Sequence, residues 1–213
     1  MTITSPAPAL SAALLFAGCT AVQPAPASPQ DAFWAALSSH CGKAYAGGMT
    51  TADAADADLA GSAMVIAVTD CSDQSIAVPF HVQRADGSWD RSRTWLITRT
   101  AAGLRLKHDH RHADGSPDPV TFYGGDTAAP GTASAQSFPV DADSIAMFRR
   151  EGLTASLTNV WTVEVDPAGT PGGTYAYQLR RTIAGGAPAE RHFRVVFDLT
   201  KPVALPPPAW GWK

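Results

Sequence analysis

Successive stretches of this chain alternate apolar and polar residues, with clusters of turn-forming residues between them. That period-two pattern limits the fold more than any other feature, because it buries one face of a strand and leaves the other wet. "AMVIAVTDC" puts Met64, Ile66 and Val68 on one face, and "SIAVPFHV" aligns Ile76, Val78, Phe80 and Val82, with Pro79 pointing to an edge position. "SRTWLITRT", "GLRLKHDHRH" and "VTFYGG" follow. Further on, Leu157, Trp161, Val163 and Val165 align, then Tyr175, Tyr177 and Leu179, then Phe193, Val195, Phe197 and Leu199. The turn signals between these runs are "ADGS" twice, "DPAGTPGG" and "AGGAP".

Two segments carry helical signals instead. "SPQDAFWAALSSH" has Ser28 as a cap, Pro29 in the first turn, Asp31 three residues after the cap, and an apolar face of Phe33, Trp34 and Leu37. "DADSIAMFRREG" can be capped by Asp141 or Asp143 and is stopped by Gly152. The expected fold is mainly β, an antiparallel up-and-down barrel or sandwich of about eight or nine strands. It is lipocalin-like in outline, with an N-terminal helix and one short mid-chain helix. The tail "KPVALPPPAWGWK" is too Pro-rich for a strand and is expected to lie over the surface with Trp210 and Trp212 packed down.

The first thirty of the 213 residues contain no Asp, Glu, Lys, Arg or His. Within them "ALSAALLFAGC" is too short to span a bilayer and reads as the apolar region of a signal peptide. Its end, Leu15-Phe16-Ala17-Gly18-Cys19, resembles a bacterial lipobox, although Phe16 replaces the usual Leu and "MTITSPAP" has no Lys or Arg. That resemblance implies lipidation at Cys19, and Thr20 after it implies the outer membrane. The alternative is an ordinary cleaved signal peptide and a periplasmic or secreted protein. The organisation is then residues 1–18 signal peptide, 19–30 Pro-rich tether, and 31–213 a single β-rich domain. Setting Cys19 aside leaves Cys41 and Cys71, which an oxidising periplasm would join, stabilising the fold by about 3 kcal/mol.

A net charge of −3 with scattered Lys and Arg gives no footprint for nucleic acid, so that partner is not expected. Glycine-rich nucleotide loops, a GxSxG elbow and HExxH are absent from the sequence, and no carboxylate pair stands out; the reading leans against an enzyme. The candidate chemistry is "KHDHRH", residues 107–112. On a strand, Leu104, Leu106, His108, His110 and His112 share a face, and the leucines imply that it points inward. Three imidazoles at every second position could hold a transition metal such as zinc or copper if a neighbouring strand adds a ligand. They could equally line a polar ligand pocket, or be structural groups bonded to Asp109, Asp114, Asp118 or Tyr123. Arg91, Arg93 and Arg99 flank Trp95 on the preceding strand, a pairing suited to an anion at a barrel mouth. The candidate ligand residues are Arg93, Trp95, His108, His110, His112 and Tyr123, and the candidate metal ligands are the three histidines.

The blocks "FWAALSSHCGKAYAGG", "RSRTWLITRTAAGLRLKHDHRHADGSPDPVTFYGG" and "FRVVFDLTKPV" resemble a family of uncharacterised exported proteins of Gram-negative bacteria. The resemblance implies location and domain extent and no mechanism. The expectation is a lipoprotein facing the periplasm, anchored to the membrane by lipid, that binds a small molecule or an envelope protein. The alternative is a metal-binding protein or metal-dependent enzyme built on the histidine strand.

Overall fold

A computed structural model describes residues 1–2, 27–183 and 189–213. The segment expected to be a signal peptide, Cys19, most of the expected tether and "AGGAP" lie outside the described residues. The described chain forms ten antiparallel strands in one sheet: β1 Lys43–Met49, β2 Met64–Val68, β3 Ser75–Gln83, β4 Trp89–Thr100, β5 Gly103–His110, β6 Tyr123–Asp126, β7 Ala135–Pro139, β8 Val160–Val165, β9 Thr174–Arg181 and β10 Arg191–Val203. The order is β6-β5-β4-β3-β2-β1-β10-β9-β8-β7, so every neighbour is consecutive in sequence except β1 and β10. The sheet curls into a nearly closed barrel whose seam lies mid-chain, between β6 and β7.

The seam is drawn tight by backbone contacts and by helix α2, Ala142–Arg150. The Asp141 N–H donates to the Gly124 carbonyl at 2.9 Å, and Ser144 Oγ accepts from the Gly124 N–H at 2.8 Å. A Cβ at Gly125 would collide with the Pro139 carbonyl, so only glycine allows the two strands to approach this closely. Asp141 is the α2 cap, its carboxylate accepting from the Ser144 N–H, and it also receives Lys107 Nζ at 2.5 Å.

Helix α1, Pro29–Ser38, forms where its cap signals placed it: the Asp31 N–H donates to Ser28 Oγ at 3.1 Å. It covers one end of the barrel with Phe33, Trp34 and Leu37. Arg99 holds it there, 2.6 Å from Asp31 and stacked 4.7 Å from the Trp34 ring centroid. Arg99 is therefore spent at the closed end of the barrel, away from the mouth. Cys41 and Cys71 form the expected disulfide, which ties the chain after α1 to the β2–β3 connection.

The inward residues of the strands fill the interior: Met64, Ile66, Ile76, Val78, Leu104, Leu106, Trp161, Val163, Val195 and Phe197 are all at most 1% exposed. Four features depart from the sequence reading. β3 lies between β2 and β4, with Pro79 opposite Thr94, so Pro79 does not mark an edge strand. β1 and β7 were not foreseen, because "KAYAGGM" and "AQSFP" carry too few large apolar residues to show alternation. Leu157 precedes β8, in the turn after a short 3₁₀ segment, rather than continuing its face. Lys201, Pro202 and Val203 prolong β10, with Pro202 opposite Tyr45, although that tail was expected to be strand-free. Beyond Val203 the tail does run across the outside of the barrel. The Trp210 N–H donates to the Arg91 carbonyl, Arg91 Nη1 donates to the Pro208 carbonyl, and the Trp212 indole donates to Asp109.

Candidate functional site

The barrel is open to a cavity of about 250 Å³ at the end opposite α1. Antiparallel pairing of β4 with β5 sets Arg93 opposite His110 and Trp95 opposite His108, and β5–β6 pairing sets His108 opposite Tyr123. All five of these residues line the cavity. The inward alternation of β5 thus carries from Leu104 and Leu106 into His108 and His110. It stops there, because the strand ends at His110. His112 lies in the following turn, its side chain 53% exposed and 4.0 Å from Asp118, and it does not line the cavity.

His108 is 2% exposed and both of its ring nitrogens are engaged. Nδ1 lies 3.0 Å from the Tyr123 carbonyl, which can only accept, so Nδ1 carries the proton. Nε2 then accepts from the Tyr177 hydroxyl at 2.7 Å. Burial, reinforced by the neighbouring His110, pushes the His108 pKa down to about 3, so the ring is neutral at neutral pH. His110 is likewise depressed to about 4, by burial and then by Arg93, and its Nε2 lies 3.2 Å from the Tyr123 hydroxyl. Burial raises the Tyr123 hydroxyl to about 12, so that group stays protonated.

Aromatic faces make up the walls. Phe80, Trp95 and Tyr177 form a continuous stack, with ring centroids 4.8 Å and 4.1 Å apart and planes within 14° and 10°. Tyr123 stacks on His108 at 4.5 Å, and Trp161 closes on both rings at 5.0 and 5.7 Å. Sequence reasoning placed Tyr177 and Trp161 on inward faces but not in the site; the register of β8 and β9 brings them to the histidines.

Two further polar elements had no sequence signal. Asp56, on the 3₁₀ segment Ala54–Leu59, is 2% exposed and pairs with Arg191 through both Nε and Nη2. This pair fastens that segment over the mouth as part of its rim. Asn159, just before β8, is 5% exposed, lines the cavity, and has a buried side-chain oxygen with no hydrogen-bond partner among the described residues. An orphaned acceptor of this kind costs about 1–3 kcal/mol unless something donates to it.

Among the described residues, the lining carries no free charge. Asp56 and Arg191 neutralise each other, Arg93 Nη1 donates to Asp90 at 3.1 Å, and both histidines are neutral. The expected metal set does not assemble. His108 spends both nitrogens on Tyr123 and Tyr177, His112 is outside, and among the described residues no three His, Cys, Asp or Glu side chains converge on one point. Of the arginines around Trp95, only Arg93 reaches the cavity. Arg91 points to the outer surface and Arg99 to α1. No family model, curated protein or solved structure matches the chain, so the chemistry of the site rests on this geometry.

Proposed function

We propose that this protein is a small-molecule-binding barrel of the bacterial envelope, taking up an uncharged, planar, aromatic ligand that presents an N–H or O–H donor. The observation that carries the reading is the buried Asn159 oxygen, left without a donor at the wall of an aromatic cavity. A cavity lined by aromatic faces with a few fixed polar groups is the usual form of a small-ligand site. At about 250 Å³ it lies just below the usual range of about 300–1,000 Å³ and suits a ligand of one or two rings. The absence of free charge in the lining disfavours an ion, which would lose its hydration without compensation. The aromatic walls offer apolar contact to a ring, and His110 adds an adaptable donor or acceptor.

Attachment through Cys19 and exposure to the periplasm complete the reading. They rest on the uncharged apolar N-terminus and are in keeping with the Cys41–Cys71 disulfide, since disulfides persist in oxidising compartments. The test is calorimetric titration of the mature domain with indole, benzamide and benzoate. The first two are expected to bind and benzoate to bind at least about tenfold more weakly, with Asn159→Leu removing that selectivity. Equal binding of benzoate and benzamide, or no binding of any of them, would refute the proposal.

A further inference from the structure

A second concave surface lies outside the barrel. The outer faces of β2, β3 and β4, the end of β10 and the first residues of the tail enclose a trough of about 600 Å³. Val65, Trp89, Val203 and Leu205 give it apolar walls. Three of these are unusually open for their type, at 36% for Trp89, 39% for Val203 and 57% for Leu205. Water-facing apolar side chains gathered in one concave patch mark a binding surface more often than scattered ones do.

The polar groups of this trough point to what it would hold. His81 points outward from β3, at the position paired with Val65 of β2, and is covered until only 1% of it is exposed. Among the described residues, neither of its ring nitrogens has a hydrogen-bond partner. A buried imidazole must carry one N–H, so the protein leaves a donor unsatisfied at the trough wall. Arg91 lines the same trough and donates one N–H to the Pro208 carbonyl; among the described residues no carboxylate pairs with it. The result is an apolar channel with an unpaired guanidinium and an unused imidazole donor at one wall.

We infer that this trough binds a linear alkyl carboxylate. The chain would lie along Trp89, Val203 and Leu205, and the carboxylate would accept from Arg91 and from the His81 N–H. Charge-assisted bonds of this kind are about twice as strong as neutral ones, and two carboxylate oxygens can serve both donors. The chain contributes through burial of its methylenes, so affinity should rise about fourfold for each one added, as far as the trough extends. This site is separate from the barrel cavity, which offers no unpaired cation.

Titrating the folded domain with decanoate and decanol, followed by tryptophan fluorescence and calorimetry, tests the inference. Decanoate is expected to saturate one site and to bind at least about tenfold tighter than decanol. Arg91→Gln should abolish that preference. Leu205→Glu, at an exposed position where folding is not at stake, should abolish decanoate binding altogether. Asn159→Leu, inside the barrel, should leave it unchanged. Decanol binding as tightly as decanoate, no saturable binding, or loss of binding in Asn159→Leu with retention in Leu205→Glu would each overturn the inference.

Discussion

Lowering the pH from 7 to 5 should unfold this protein far more readily than a domain with exposed histidines, and the effect can be sized from two side chains. His81 and His108 are 1% and 2% exposed, and burial holds their pKa values down to about 4 and about 3. In the unfolded chain each returns to about 6.5. Between those values the unfolded state binds a proton that the folded state refuses, so stability is full above about pH 6.5 and falls steadily below it. At pH 5 each histidine has forfeited about 2 kcal/mol, or about 4 kcal/mol for the pair. That is a large part of the 5–15 kcal/mol typical of a whole domain. His40, His110 and His192 are also depressed by burial and act in the same direction. The depressed carboxylates, such as Asp141 and Glu164, begin to contribute only nearer pH 4, which leaves this window to the histidines. Urea titrations at pH 7, 6 and 5 would read the effect. With a slope of about 2 kcal/mol/M, the midpoint should fall by about 2 M over that range. His81→Leu breaks no hydrogen bond and should recover about half of the fall. A midpoint that moves by less than about 0.5 M, or a His81→Leu variant with the same pH slope as the parent, would refute the argument.

Removing one hydroxyl in Tyr177→Phe strands His108 Nε2 and should cost about 1–3 kcal/mol in urea denaturation; a neutral result would show that the bond contributes nothing. Gly125→Ala forces a methyl group onto the Pro139 carbonyl at the seam, and faster amide exchange in β6 and β7 should accompany a loss of about 2 kcal/mol or more. Reduction of Cys41–Cys71 should lower stability by about 3 kcal/mol without changing the β-rich circular dichroism spectrum at room temperature. Asp56→Ala leaves Arg191 half-buried and unpaired at the mouth, with an expected cost of about 3 kcal/mol. His112→Ala, at an exposed turn, should change stability by less than about 0.5 kcal/mol.

Strand identity was legible wherever large apolar residues alternated, because burial on a curved sheet depends directly on that period. Leu104, Leu106 and His108 show the rule working, and the inward direction of His108 followed from it. The same rule failed at His112, since periodicity holds only while the strand lasts, and "ADGS" turned the chain two residues earlier than the histidine pattern implied. β1 escaped detection because closeness matters there more than bulk. A Cβ at Gly47 would strike the Val196 carbonyl, so the residue that makes the strand possible also erases its pattern. The site was legible only in part. Arg93, Trp95, His108 and His110 are neighbours on one hairpin, with Tyr123 one strand on. Asn159, Asp56 and Arg191 come from distant segments, and only the closed barrel brings them together. The covering of His81 was equally hidden, because it depends on where a proline-rich tail comes to rest.

The mid-chain seam also shapes how the protein must assemble during synthesis. Strands β2 to β6, and likewise β7 to β10, can pair with sequence neighbours as they emerge, but Ala44 must wait for Val203. For nearly the whole of translation, the far side of β1 is therefore a bare sheet edge, the kind of surface that recruits other chains into aggregates. Its seven residues, "KAYAGGM", have a lysine at the start, two adjacent glycines and little apolar bulk. Those properties make it a poor template for foreign strands while it waits, and they suit the close fit against Val196 and Phe197 that ends the wait.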